Sequence, residues 1–400
     1  MKKRLLYISQ TILVGLLIIS PVKAQSIAPA IDGKGNYYFS VGNVRFEVDP
    51  SFGSRISSLK IDGNEMMFVD STLNGGHVWG SNLWPSPQSW GWPPSVELDN
   101  DPYTGGIVGD SVSLLSEVDA TYDSHLQFRK TFKASLSDTS VTIRYTMINT
   151  GSSDNSFSPW ELTRAPSGGM AFFPYDLIHD TITGKLSEQV QKDKGVAWYK
   201  YVDINASQKF FANGSEGWFA YINDNKEIFI RKFKDVPADN QAPGEAEIEL
   251  WYNSSDTYIE MEVQGEYKNI PADGSVDWTD KWYVRNLPSN IATTVGSQGL
   301  IDYVRSIVTH SATVSVNELT MNTFEVYPNP VADRLTIESE LSVTSDSYVT
   351  IYNLQGQEML KQKLVNKRSV IEVGALANGV YIYEISLMNT TNRGKIIVNR

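Results

Sequence analysis

Apolar and polar residues alternate with a period of two along much of this chain, which restricts those stretches to half-buried β-strands. Val44, Phe46 and Val48 alternate with Arg45, Glu47 and Asp49, and Val141, Ile143, Tyr145 and Met147 with Thr142, Arg144 and Thr146. Ile248 and Leu250 alternate with Glu247 and Glu249, and Ile259, Met261 and Val263 with Tyr258, Glu260, Glu262 and Gln264. Successive side chains on a strand point to opposite faces, so each run offers one face to a core and one to polar surroundings. Such strands build antiparallel sheets packed as a sandwich. Asp62-Gly63, Asn213-Gly214 and Asp273-Gly274 mark turns between them. One helical pattern stands apart: Leu300, Ile301, Val304, Ile307 and Val308 share a face, which predicts a helix over Leu300–His310 covering the sandwich. The fold class expected is all-β.

The N-terminus reads as a targeting segment. Lys2, Lys3 and Arg4 precede an apolar run densest from Ile12 to Ile19, Pro21 breaks it, and Val22-Lys23-Ala24 offers small residues to a signal peptidase. The run is short against the about 20 residues a bilayer span needs. We therefore expect a signal peptide over 1–24, cut after Ala24, and no transmembrane anchor in the mature protein. The formal net charge is −12, and removing the leader's four positive residues takes the remainder to −16. Residues 324–400 hold eight basic and eight acidic side chains, so residues 25–323 carry that whole charge, together with all ten tryptophans. The expected organisation is a sandwich over 25–310, a polar linker over 311–323 and a small β-domain over 324–400. An acidic chain lacks the basic face of a sequence-independent nucleic-acid binder. The absence of cysteine excludes disulfides and thiolate chemistry. With four histidines and neither a Walker loop nor HExxH, neither a metal nor a cofactor is expected.

In the tail, Leu335–Glu338, Tyr348–Asn353, Val380–Ile385 and Lys395–Val398 read as strands, with turns at Leu354–Gln357 and Asn378-Gly379. The tail resembles the type A C-terminal sorting domain of the type IX secretion system. The residues that carry the resemblance are Val326-Tyr327-Pro328-Asn329-Pro330, Ile351-Tyr352-Asn353-Leu354-Gln355-Gly356 and Leu376-Ala377-Asn378-Gly379-Val380-Tyr381. It implies the type IX machinery as a partner and transport across the outer membrane, usually with removal of the domain. The product is then secreted or attached to the cell surface.

The most unusual stretch is Gly75–Tyr103, with four tryptophans (Trp79, Trp84, Trp90, Trp92) and five prolines. That density of proline and glycine predicts a rigid surface loop rather than a long helix or central strand. Exposed indole faces suit the C–H faces of sugars, and Asn82, Gln88 and Asp99 suit their hydroxyls. The alternative is that these tryptophans fold back and plug one end of the sandwich.

Residues 37–288 resemble the galactose mutarotase-like supersandwich, close to an uncharacterised-domain family on that fold. The motifs are Gly53-Ser54-Arg55-Ile56, Ile61-Asp62-Gly63, Leu83-Trp84-Pro85-Ser86-Pro87-Gln88, Trp92-Pro93-Pro94, Asn149-Thr150-Gly151, Ser158–Arg164, Tyr258–Val263 and Trp282. Aldose epimerases of this superfamily place a histidine after the Asn-Thr turn; here Trp160-Glu161-Leu162-Thr163-Arg164 stands there instead. Their late glutamate has a candidate in Glu262, while Glu260 reads as a solvated carboxylate. His77 is the surviving candidate proton donor, and Glu161 is a further candidate; His125 and His179 belong to no constellation. Arg55 and Arg164 either fork onto a ligand or pair with nearby acids. The site expected gathers Trp84, Gln88, Trp90, Trp92, Trp160, Arg164 and Glu262 on one concave, acidic pocket. Two functions remain open: a secreted carbohydrate-binding protein, or a carbohydrate-active enzyme (epimerase, lyase or hydrolase) using Glu262 as acid or base.

Overall fold

The structure is a computed structural model that describes residues 26–178, 182–254, 258–310, 324–339, 343, 347–353, 357–387 and 390–399. Residues 1–25, where the leader is expected, the expected linker 311–323, His179 and residues 354–356 of the expected turn lie outside the described residues. The chain divides into two compact units, Met1–Val314 and Ser315–Arg400.

The first unit is built on two antiparallel sheets. The alternating runs become the strands Val44–Asp49, Ser140–Asn149, Ile248–Tyr252 and Tyr258–Gln264. One sheet has eleven strands and centres on Glu227–Phe233, Ser275–Asn286 and Ser140–Asn149. The other has twelve and runs through Gln208–Ala212, Ile248–Tyr252, Tyr258–Gln264, Asn155–Pro166 and Ser81–Ser86 to Arg55–Ile61. The apolar faces meet between the sheets. Phe46 of one packs 5.9 Å from Phe132 and 5.8 Å from Trp282 of the other, ring centroid to centroid. A single continuous core includes Val48, Ile143, Met147, Leu250, Met261 and Val263.

The helix spans Gln298–His310, two residues earlier than its apolar stripe predicts. Leu300, Ile301, Val304 and Val308 pack on Met170, Trp198, Trp218 and Ile230, the outward face of the eleven-stranded sheet. That face is therefore covered, and the outward face of the twelve-stranded sheet is where polar and aromatic side chains gather.

The Gly75–Tyr103 stretch differs from the loop expected. Ser81–Ser86 is a strand inside the twelve-stranded sheet, paired with Asn155–Pro166 on one side and Arg55–Ile61 on the other. Its proline is tolerated because Pro85 faces Pro159 near the end of the ladder, where missing N–H donors cost least. The remainder, through the short helix Val96–Asp99, is the loop.

The second unit has a three-stranded sheet (Phe324–Tyr327, Arg334–Ser339, Arg368–Glu372) and a four-stranded one (Glu358–Lys363, Tyr348–Tyr352, Gly379–Leu387, Thr390–Val398). Leu335, Ile337, Val349, Ile351, Ile385 and Ile396 form part of its core.

Candidate functional site

Register assembles the site. Across the ladders Trp160 sits opposite Trp84 and Gln264, Leu162 opposite Asn82 and Glu262, and Arg164 opposite Glu260. Glu262 faces Glu249, and Glu260 faces Trp251, which in turn faces Lys209. Directly opposed residues share a face, so five neighbouring strands project these side chains to one side. Several of them line a cavity of about 310 Å³ there, with Trp84, Gln88, Trp92, Trp160, Lys209, Trp251, Asn253, Tyr258, Glu260 and Glu262 on its wall.

Glu262 is the most constrained group in it. It is 1% exposed, and its Oε2 accepts hydrogen bonds from the Trp160 indole N–H at 2.8 Å and from Lys209 Nζ at 2.7 Å. Lys209 also pairs with Glu249 and lies 4.7 Å from the Trp160 ring centroid. Burial pushes the Glu262 carboxyl above its usual range against the pull of Lys209, and pushes Glu249 up further. Burial also works against the Lys209 ammonium, but Glu262 and Glu249 outweigh it and hold its pKa above the ordinary lysine value. Glu260 accepts from Arg164 Nε at 3.0 Å through Oε1. Glu262 Oε1 and Glu260 Oε2 accept no hydrogen bond from any described residue. The wall thus presents two uncommitted carboxylate oxygens among indole faces.

Behind this cavity Asp99 gathers much of the loop. It is 1% exposed and accepts from Arg55 at 2.9 Å, from the Trp84 indole at 2.9 Å, from Asn82, and bonds His77 Nδ1 at 2.8 Å. Burial disfavours its charge, yet Arg55 and these donors hold its carboxyl well below the usual range. Arg55 is itself buried, donates to the carbonyls of His77 and Trp79 at 3.0 Å each, and is drawn down to about 10 by burial. Arg164 donates to Asn82 as well as to Glu260. Both arginines thus have acidic protein partners, Arg55 in Asp99 and Arg164 in Glu260.

The structure brings Trp84, Gln88, Trp92, Trp160 and Glu262 to the cavity. Arg164, Asn82, Asp99 and Arg55 stand behind it, and Trp90 lines a neighbouring cavity. His77 packs edge-on against Trp92, ring centroids 5.7 Å apart, with Nδ1 turned to Asp99. Glu161 points the other way. It follows Trp160 on the strand and so faces the sandwich interior, where it bonds Ser81 and Thr163 and pairs with Arg231, itself paired with Asp280. Glu260 is 8% exposed and ion-paired rather than a solvated carboxylate, because the flanking ladders cover it. Sequence reasoning missed Lys209 and Trp251. Each extends a polar face, Lys209 next to Phe210 and Trp251 two residues after Glu249, but both strands have only five residues. Among the described residues no group of three or more His, Asp or Glu could hold a metal ion.

Residues 325–399 match the secretion system C-terminal sorting domain. No curated protein matches the sequence. Among solved structures the chain is similar to a TPR-domain containing protein from Parabacteroides distasonis, at 15% identity over 64% of this chain and 48% of that one, TM-score 0.47. This chain thus spans about half the length of that protein. It is similar also to a galactose mutarotase-like protein from Clostridium acetobutylicum (12% identity, 65% of this chain, 98% of that one, TM-score 0.43). A galactose mutarotase-like protein from Lactobacillus casei is comparable (11%, 63%, 100%, TM-score 0.45). Among the described residues no helix is long and apolar enough to cross a membrane. Residues 325–399 are thus a type IX secretion system C-terminal sorting domain, which implies secretion or cell-surface localisation, and they follow in sequence a unit of two antiparallel sheets.

Proposed function

We propose that this is a secreted or surface-attached carbohydrate-binding protein whose site is the cavity between Trp92 and the Glu260–Glu262 face. The observation that carries the reading is the pair of uncommitted carboxylate oxygens on Glu260 and Glu262, set among the rings of Trp84, Trp92, Trp160 and Trp251. Carboxylate oxygens accept from sugar hydroxyls, and indole faces take sugar C–H faces. Trp92 is 55% exposed, a large ring left in water at the cavity's edge. Two acids, Glu260 and Glu262, against one lysine at the wall favour neutral sugars over polyanionic glycans. A leader over 1–24 cleaved after Ala24, a sandwich domain over 25–310 and a linker over 311–323 belong to the same proposal.

One observation favours a second reading, a carbohydrate-active enzyme. Glu262 is buried with a raised pKa, as a general acid requires. Against it, Glu161 faces the opposite side of its strand and His77 is not on the cavity wall, so neither stands where a partner for Glu262 is needed. A glycan-array screen of the protein, with product analysis on each hit, separates the two. The binding reading expects saturable binding with no product and Glu262→Gln retaining affinity. Product formation that Glu262→Gln abolishes establishes the enzyme. No hit among neutral glycans removes both.

A further inference from the structure

Trp84 is a wall shared by two cavities. The second, of about 290 Å³, is lined by Trp84, Trp90, Tyr122, Phe157, Leu98 and Pro94 among others. The loop contributes to each in turn: Gln88 and Trp92 to the first, Ser89, Trp90 and Pro94 to the second. Each cavity alone lies near the floor of the about 300–1,000 Å³ typical of ligand sites, and the two together lie well within it.

The two cavities differ in charge: Glu260, Glu262 and Lys209 stand on the wall of the first, and among the described residues Asp119 is the one charged residue on the wall of the second. In the second cavity the polar groups are turned inward. Asp119 accepts from the backbone N–H groups of Tyr122 and Ser124 at 3.2 Å each, and from the Ser124 hydroxyl. Asn155 donates to the Ser124 carbonyl at 3.1 Å and accepts from the Ser156 N–H at 2.9 Å. The Trp90 indole N–H donates to the Pro85 carbonyl at 2.9 Å, the Tyr122 hydroxyl donates to the Gly91 carbonyl at 2.7 Å, and the Ser95 hydroxyl donates to Glu97 at 3.0 Å. The rest of the lining is ring and aliphatic surface from Trp84, Trp90, Tyr122, Phe157 and Leu98, with the Ser89 hydroxyl at its edge. A sugar ring placed there would find its polar neighbours already engaged with the protein, whereas an aromatic group would meet the rings of Trp90, Tyr122 and Phe157.

We propose that this second cavity is a subsite for an apolar or aromatic aglycone, so that the ligand class is a glycoside straddling Trp84 rather than a free sugar. This rests on the carbohydrate reading of the first cavity. The test is calorimetric titration of the full chain with paired methyl and 4-nitrophenyl glycosides of the common hexoses, and with the corresponding disaccharides. The expected result is that the 4-nitrophenyl glycoside of any hexose that binds does so at least about tenfold more tightly than its methyl partner. Ser89→Phe, which fills the second cavity from an exposed position, and Trp90→Ala, which removes one of its rings, should each bring that ratio towards one. Equal affinity for the two glycosides, a ratio untouched by both variants, or an equal gain from a second sugar unit overturns the aglycone subsite and leaves the sugar site standing. Absence of binding by every glycoside overturns both.

Discussion

Trp84 and Trp92 have ring centroids 5.9 Å apart, yet their burial assigns them different work. Trp84 is 4% exposed, donates to Asp99, and meets Trp90 and Trp160 edge-on at 5.5 Å each. Removing it leaves a cavity and takes one of several donors from buried Asp99, so Trp84→Ala should destabilise the protein by about 3–5 kcal/mol. Trp92→Ala, at an exposed ring, should change stability by no more than about 0.5 kcal/mol. Urea unfolding of both variants checks this; equal losses would contradict the division. Glu247 gives a residue-level pH prediction. Burial, with Asp235 adding, pushes its carboxyl up to about 8. The folded protein then keeps a proton that the unfolded chain releases near about 4.3. This group's contribution is therefore most favourable below that pH, and stability falls as pH rises towards about 8. Glu247→Gln cannot titrate, so its unfolding free energy should fall less steeply than wild type between about pH 5 and 8. Parallel slopes would contradict the assignment.

At the level of elements, the turn before Arg55–Ile61 holds the back of the site. Gly53 has φ +60°, and a Cβ there would collide with the Asp99 carbonyl oxygen. Gly53→Ala should destabilise by roughly 1–3 kcal/mol and loosen the short helix that carries Asp99, read as faster amide exchange over Val96–Asp99. Unchanged exchange and stability would show that the close approach is unimportant. The long alternating strands were legible in the sequence because one apolar and one polar face repeat over many residues, as in Ser140–Asn149. The strand Ser81–Ser86 was not, since Pro85 argues against a central strand until Pro159 is seen opposite it. Nor were the partners of Glu262. Lys209 lies 53 residues away in sequence, and only strand pairing brings it beside the carboxylate. Side-chain type marked Asp99, Arg55 and Arg164 as polar candidates but carries no information on whether ligand or protein satisfies them.

For the whole molecule, the two units carry different features: residues 325–399 match a sorting domain, which implies secretion or cell-surface localisation, and the first unit carries the aromatic cavity. Deleting residues 324–400 should leave the sandwich folded but retained in the periplasm, measured by fractionation with circular dichroism on the retained protein. Release of the truncated chain to the medium or surface would contradict the export role. The central claim, that the Trp92–Glu262 cavity holds a sugar, is tested most directly by calorimetric titration of wild type and Trp92→Ala with a neutral glycan that scores on the array. The account predicts saturable wild-type binding that weakens by about 1–2 kcal/mol in the variant, roughly 5–30-fold in Kd. Equal affinity in a variant that melts like wild type would contradict it.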